Sequence, residues 1–190
     1  VTSLKDPVAA ATLAELLDAA PPAVILNGTG FSVSAPGRRA ETPFDGADCP
    51  VLQIVFAGGT EEAWREGTRG LSARDIAMNV ALPEVDGRIL ARAVSFKSTR
   101  GRDPLTETEI VFYRPVPDRI AFTADLAAAW AKLRGTPAEE RRVAMVVANY
   151  PNRDGRMGNG VGLDTPASAV TVLRALEAVG YDLRDIPEDG

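Results

Sequence analysis

The sequence predicts an α/β fold. Three observations carry that reading. Short apolar runs of strand length recur along the chain: AVIL, VLQIVFA, ILARAVSF and VAMVV. Segments with helical spacing of apolar residues separate them. Polar, glycine-bearing loops, LNGTG, FAGGT and ANYPNRDG, follow three of the runs. Short, mostly apolar strands alternating with helices suit a mostly parallel sheet covered by helices on both faces. The expected architecture is therefore an open, Rossmann-like or flavodoxin-like sheet, whose carboxyl-edge loops form the default ligand crevice.

The elements follow in order. Asp6-Pro7 reads as an N-cap with proline in the first turn, and Leu13, Leu16, Leu17 and Ala20 recur at helical spacing until Pro21-Pro22 stops the helix. AVILNGTGF is a short strand ending in a polar turn, and residues 34–50 are rich in turn formers. Val51–Gly59 is a second strand and turn. Thr60 caps a helix carrying Glu61 and Glu62 in its first turn, which Gly70 ends. Ser72-Ala-Arg-Asp75 has a capping-box pattern. ILARAVSF is a third strand, residues 98–108 a polar connector, and IVFYRPV a further strand. Beyond Asp118, Leu126, Trp130 and Leu133 mark another helix, ended by Gly135-Thr-Pro. RRVAMVVANY is the last expected strand. Thr165 is expected to cap a closing helix with Pro166 as its first residue.

The chain has 190 residues, 45% hydrophobic and 25% charged, enough for one good core. It is expected to form one α/β domain over 1–190, with a possible sub-boundary near 98–118 and a candidate second lobe after it. The initial valine and immediately helical start suggest a piece excised from a longer chain. A net charge of -5 without clustered lysine and arginine argues against nucleic-acid binding. No apolar run approaches the roughly 18 residues of a membrane span, and no signal peptide is legible. One cysteine, Cys49, precludes a disulfide within the chain and makes a cytoplasmic setting the default. Cys49, Trp64 and Trp130 read as packing residues, and Lys97 as a solvated lysine that could reach the loop edge. There is no histidine, which excludes Ser-His-Asp, Cys-His and His-based zinc chemistry within this chain.

Two stretches carry chemistry. Ala148–Ser168, ANYPNRDGRMGNGVGLDTPAS, fails the dinucleotide fingerprint at its third glycine and lacks the lysine of a phosphate loop. It still joins a flexible backbone, Arg153, Arg156 and a helix start, a combination suited to a carboxylate or phosphate. The alternative is a long loop that packs a neighbouring domain. In ALPEVDGRI, Glu84 and Asp86 flank Val85. In an extended segment they would point the same way and could share a proton, act as acid or base, or bind a hard cation. The alternative is a solvated turn with Asp86-Gly87 at its tip.

NYPNRDGRMGNGVGLDTPAS with the following LRALEAVGYDL, together with GLSARDIAMNVALPEVDGRILARAVSFK and LNGTGFSVS, resembles the CobN-type large-subunit family of aerobic cobaltochelatases through nearly all of residues 22–183. The magnesium-chelatase large subunit has a similar P-E-x-D-G stretch and a shorter glycine loop. The resemblance implies an internal segment of a much longer subunit that binds hydrogenobyrinic acid a,c-diamide for Co²⁺ insertion in cobalamin synthesis. Co²⁺ would be the substrate metal. ATP, with Mg²⁺, would be used by two partner subunits, one an AAA+ ATPase, and other domains of the large subunit would complete the site. It implies Glu84 as proton acceptor or transient Co²⁺ ligand, with Asp86 as helper. It also makes Arg153 and Arg156 receivers of the macrocycle's carboxylates, joined by Asn149, Gly158, Asn159, Gly160 and Thr29. The competing readings are a stand-alone nucleotide- or sugar-phosphate-binding enzyme and a scaffold segment docking the AAA+ partner.

Overall fold

The computed structural model describes residues 3–35, 37–148 and 158–190. It divides into two compact units, Val1–Ala131 and Lys132–Gly190. The first contains helix α1 (Pro7–Ala19), strand β1 (Ile25–Asn27), strand β2 (Val51–Ala57) and helix α2 (Glu61–Glu66). A continuous helical run follows, formed by α3 (Ala73–Ile76), a π-helical turn (Ala77–Ala81) and α4 (Leu82–Val85). Strands β3 (Ile89–Arg102) and β4 (Glu109–Pro115) and the greater part of helix α5 (Pro117–Gly135) complete the order.

The fold is α/β and the sheet mostly parallel. Its order is β1-β2-β3-β4, with β1, β2 and β3 parallel and β4 antiparallel on β3. The order is sequential, so the described strands contain no reversal of the kind that houses ligands in doubly wound sheets. Val55, Ala57, Ala93, Phe96 and Val116 form the buried centre, with Trp64, Leu71 and Val80 packed against it. Trp64 lies 5.1 Å from the Phe96 ring, so it is a packing residue as expected. The residues expected to cap do so: Asp6 accepts from the Val8 N–H at 3.1 Å, Thr60 from Ala63 and Ser72 from Asp75.

Four elements differ from the sequence reading. The polar connector 98–108 is the end of β3 and a hairpin turn: Thr99 pairs with Val111 and Arg102 with Glu109. Helix α2 stops at Glu66, where the Gly67 N–H closes onto Ala63, one turn before Gly70. Residues 141–148 form no strand. Val143, Met145, Val146 and Val147 are all exposed, and the expected third loop therefore does not follow a ladder of hydrogen bonds. The second unit has one long helix of its own, α6 (Thr165–Ala178). Its N-cap is Asp164, which accepts from the Ala167 N–H at 3.1 Å, so Thr165 is the first helical residue rather than the cap.

No helix among the described residues is long and apolar enough to cross a membrane.

Candidate functional site

A proline sets the position of the loop after β1. Pro83 falls inside the helical run 73–85 and has no N–H to give to the preceding turn. The chain absorbs it by widening: the Leu82 N–H reaches back five residues to the Ala77 carbonyl, the π pattern. In that register the Met78 carbonyl would look to residue 83 for a donor and finds none. It accepts the Phe31 N–H instead, at 2.7 Å. Gly30, immediately before, lies so close to this turn that a Cβ there would sit 2.7 Å from Asn79 Oδ1 and 3.1 Å from the Met78 carbonyl oxygen. A Cβ on Gly28 would likewise sit 2.6 Å from the Phe56 ring. Both glycines are therefore close-approach residues.

The run ends in a Schellman motif. The Arg88 N–H bonds the Pro83 carbonyl, the Gly87 N–H bonds Glu84, and Gly87 has φ of 76°. This corrects the extended geometry expected for PEVDG. Glu84 lies on an exposed helical turn, whereas Asp86 is buried, so the two carboxylates do not converge. Asp86 turns inward, accepting from the Val33 N–H at 2.8 Å, the Ser34 N–H at 2.9 Å and Arg88 Nη2 at 2.8 Å. Both side chains of the Asp86–Arg88 pair are 1% exposed. Burial pushes the Asp86 carboxyl up, but the Ser34 and Val33 donors and the Arg88 charge outweigh it, and the carboxyl lies below its ordinary value of 3.8. Burial lowers the Arg88 guanidinium, and Asp86 opposes that shift.

Arg88 extends the network to β1 and β2. Its Nη1 donates to the Thr29 carbonyl at 3.2 Å and to Gln53 Oε1 at 3.4 Å. The Thr29 carbonyl also accepts from Asn27 Nδ2 at 3.2 Å and Gln53 Nε2 at 3.0 Å, while the Thr29 hydroxyl donates to Asn27 Oδ1 at 2.9 Å. Loop 28–34 is thus tied at three points: the Met78 carbonyl, the buried amides of β1 and β2, and the Asp86 carboxylate. A cavity of about 600 Å³ lies beside it, walled by Thr29, Gly30, Phe31, Ser32, Leu82 and Arg88 among others. Phe31 at its rim is 55% exposed, with φ of 62°. The loop after β2 is fixed in a related way: Asp75 receives the Gly58 N–H at 3.1 Å and Asn79 Nδ2 at 3.2 Å.

In the second unit, Gly158 has φ of 71°, and a Cβ there would sit 3.0 Å from Val147 and 3.2 Å from Thr165. Its carbonyl accepts the Thr165 hydroxyl. Asn159 and Gly160 follow, and the Gly160 carbonyl takes the Leu163 N–H at 3.0 Å. These residues and the apolar run 145–148 border a cavity of about 250 Å³. Asn149, Arg153 and Arg156 lie outside the described residues. Among the described residues no three histidine, cysteine, aspartate or glutamate side chains gather as a metal site.

Of the expected site residues, Thr29 borders the larger cavity, Glu84 and Asp86 belong to the adjoining turn, and Gly158, Asn159 and Gly160 belong to the second unit. Sequence reasoning missed Arg88, Asn27 and Gln53. One signal was available: Gln53 interrupts the apolar run VLQIV, and a lone amide in such a strand needs a buried partner.

Comparison with known proteins gives three concordant results. A family model described as CobN/Magnesium Chelatase matches residues 1–190. The chain is 53% identical over its whole length to "Aerobic cobaltochelatase subunit CobN" of Sinorhizobium sp and 45% identical to the protein so named in Pseudomonas aeruginosa. It spans 15% of the length of each. Among solved structures, "Catalytic Subunit of Cobaltochelatase from Mycobacterium tuberculosis" superposes with a TM-score of 0.76 at 32% identity, over 97% of this chain and 15% of that one.

Proposed function

Because this chain belongs to the CobN/magnesium-chelatase family, we propose that it is a segment of a cobaltochelatase large subunit. In this reading it helps to hold hydrogenobyrinic acid a,c-diamide while Co²⁺ is inserted during cobalamin synthesis. The carrying observation is the match to cobaltochelatase subunits over the full 190 residues. The cavity beside loop 28–34 supports it, because tetrapyrroles need a concave, mixed apolar and polar wall. ATP hydrolysis, with its Mg²⁺, belongs in this reading to an AAA+ subunit and a second small subunit, and the remaining domains of the large subunit complete the site.

Insertion replaces the inner N–H proton of the corrin with the metal, so a proton must leave the ring. Glu84 is the group proposed to accept it or to ligate Co²⁺ in transit. An exposed carboxylate on a helical turn is free to do either. Asp86 takes a different part from the helper role expected of it. Its oxygens are committed to Val33, Ser34 and Arg88, so it acts through the loop as a positioning residue. Arg153 and Arg156, with Asn149 and the backbone of Gly158, Asn159 and Gly160, are proposed to pair with the carboxylates of the macrocycle rim. The test is Glu84→Gln in the intact large subunit, with both small subunits present. Loss of Co²⁺ insertion with retained macrocycle binding is expected, and full insertion overturns the role.

A second reading of residues 141–148 rests on a separate observation. Residues 143–148 are all apolar, yet Val146 is 92% exposed and Val161 of the nearby loop 94%. A strand apolar on both faces is built to be central in a sheet. Because the chain spans 15% of its relatives, its proposed cover is the remainder of the same polypeptide. Hydrogen exchange on the intact large subunit should show protected amides over 143–148. Free exchange there removes this reading, and protection only after the AAA+ subunit is added transfers the surface to that partner.

A further inference from the structure

The exposed ring of Phe31 is not explained by the packing of the chain that carries it. A residue with φ of 62° is ordinarily glycine, asparagine or aspartate, because a larger side chain is strained there. Phenylalanine is tolerated at such a position when burial of its ring offsets the strain, but here the residue is 55% exposed. Every neighbour nevertheless works to hold it. The Phe31 N–H is taken by the Met78 carbonyl, the acceptor that Pro83 leaves without a donor. Gly30 before it is pressed against Asn79. Val33 and Ser34 after it are fastened to the buried Asp86 carboxylate. The backbone at Phe31 is therefore fixed from both sides, at the rim of a cavity of about 600 Å³. Rigid backbone, residual strain and an exposed aromatic at a cavity mouth together describe a preorganised contact for a flat ligand.

We propose that this cavity, between the N-terminal residues 3–5, loop 29–35, Leu82 and Arg88, receives one edge of the tetrapyrrole and that the Phe31 ring packs against the conjugated face of the macrocycle. The proposal rests on the tetrapyrrole-binding reading above and names the contact surface for it. Lys5, Thr29 and Ser32 line the cavity with polar groups, Leu4 and Leu82 with apolar ones, and Phe31 supplies the aromatic contact, a mixed composition that suits a largely apolar ligand. The buried Asp86–Arg88 pair acts as the fastening beneath, not as a ligand contact.

The experiment uses the full-length large subunit as wild type, Phe31→Gly and Phe31→Tyr. Each is titrated with hydrogenobyrinic acid a,c-diamide by fluorescence quenching, and each is melted without ligand. Glycine relieves the positive φ, so Phe31→Gly is expected to melt at or above the wild-type temperature while its Kd rises roughly 3- to 10-fold, the range of one aromatic contact. Phe31→Tyr keeps the ring and should hold the Kd within two-fold of wild type. A Phe31→Gly protein that binds as tightly as wild type overturns the proposal. So does one that melts several degrees lower, because Phe31 is then a packing residue for another domain. Failure of the wild-type subunit to bind the macrocycle overturns the tetrapyrrole reading itself, and this proposal with it.

Discussion

The loop after β1 and the loop before α6 look alike in composition, yet they are built on different physics. In the first, Gly28 and Gly30 are forced by contact: a Cβ at either position would fall within 2.7 Å of a neighbouring side chain. Side chains from β1, β2, the helical turn and Arg88 converge on it. In the second, Gly162 has φ of 76° with nothing within 4 Å, and Gly160 makes only ordinary contacts. Gly158 and Gly162 serve backbone conformation at positive φ, Gly158 with a close approach to Val147 and Thr165 besides, and the hydrogen bonds of this loop are local ones within loop and helix. The first loop is preorganised by tertiary structure. The described part of the second relies on its own short-range bonds.

The largest break in that comparison is at Asp86. Asp86→Asn strands the buried Arg88 charge, and breaking one side of a buried pair costs about 3–5 kcal/mol. Urea unfolding should show it. Asp164→Ala, which removes an exposed N-cap at the second loop, should cost about 1 kcal/mol. The pH dependence has a definite sign. The folded Asp86 carboxyl lies below its ordinary value of 3.8, so its contribution is fully present above that value and is lost as the pH falls through the lower folded value. Thermal melts from pH 7 to pH 2 should show part of the acid-side loss disappear in Asp86→Asn.

Next in size is Gly30→Ala. Asn79 can swing aside, but the Met78 carbonyl is backbone and cannot. Overpacking of this kind costs about 1–3 kcal/mol. Gly160→Ala in the second loop meets only Leu163, at 3.5 Å, and should stay within about 0.5 kcal/mol. Equal costs at the two positions, read from melts of the same preparations, would break the comparison.

How much of this was legible follows the same division between local and tertiary causes. Caps at Asp6, Thr60 and Ser72 were readable because a cap is a contact between neighbours in sequence. Strands β2 and β3 were readable from continuous apolar runs. Residues 98–102 were not, because their pairing with β4 depends on a partner strand rather than on their own polarity. The run at 143–147 has the pattern of a strand but no partner among the described residues. PEVDG was misjudged because proline usually marks a helix start or stop. Nothing in residue order announces that a π turn will absorb Pro83 and let the helix run on to Val85. The Asp86–Arg88 pair was equally hidden: two residues apart in sequence, its value comes from what the loop 53 residues away offers to Asp86.

A smaller effect tests the role of that proline directly. Pro83→Ala returns an N–H to the helix, which can then compete for the Met78 carbonyl. Hydrogen exchange should become faster at the Phe31 amide and its neighbours in loop 28–34, while Gly158–Leu163 is unchanged. If the Phe31 amide keeps its protection, the loop is held by the Asp86 and Thr29 contacts alone, and the proline is only a helix residue.

The smallest expected change in stability is at Glu84, and its smallness is informative. Glu84 is exposed and lies two residues before the buried pair. Glu84→Gln should alter unfolding free energy by no more than about 0.5 kcal/mol, against the several kcal/mol expected at Asp86. If metal insertion by the intact subunit is nonetheless lost in Glu84→Gln, the two carboxylates of PEVDG have separate duties, one chemical and one architectural. If instead Glu84→Gln destabilises as Asp86→Asn does, Glu84 is buried by a domain of the parent subunit. Its loss of activity would then say nothing about proton transfer.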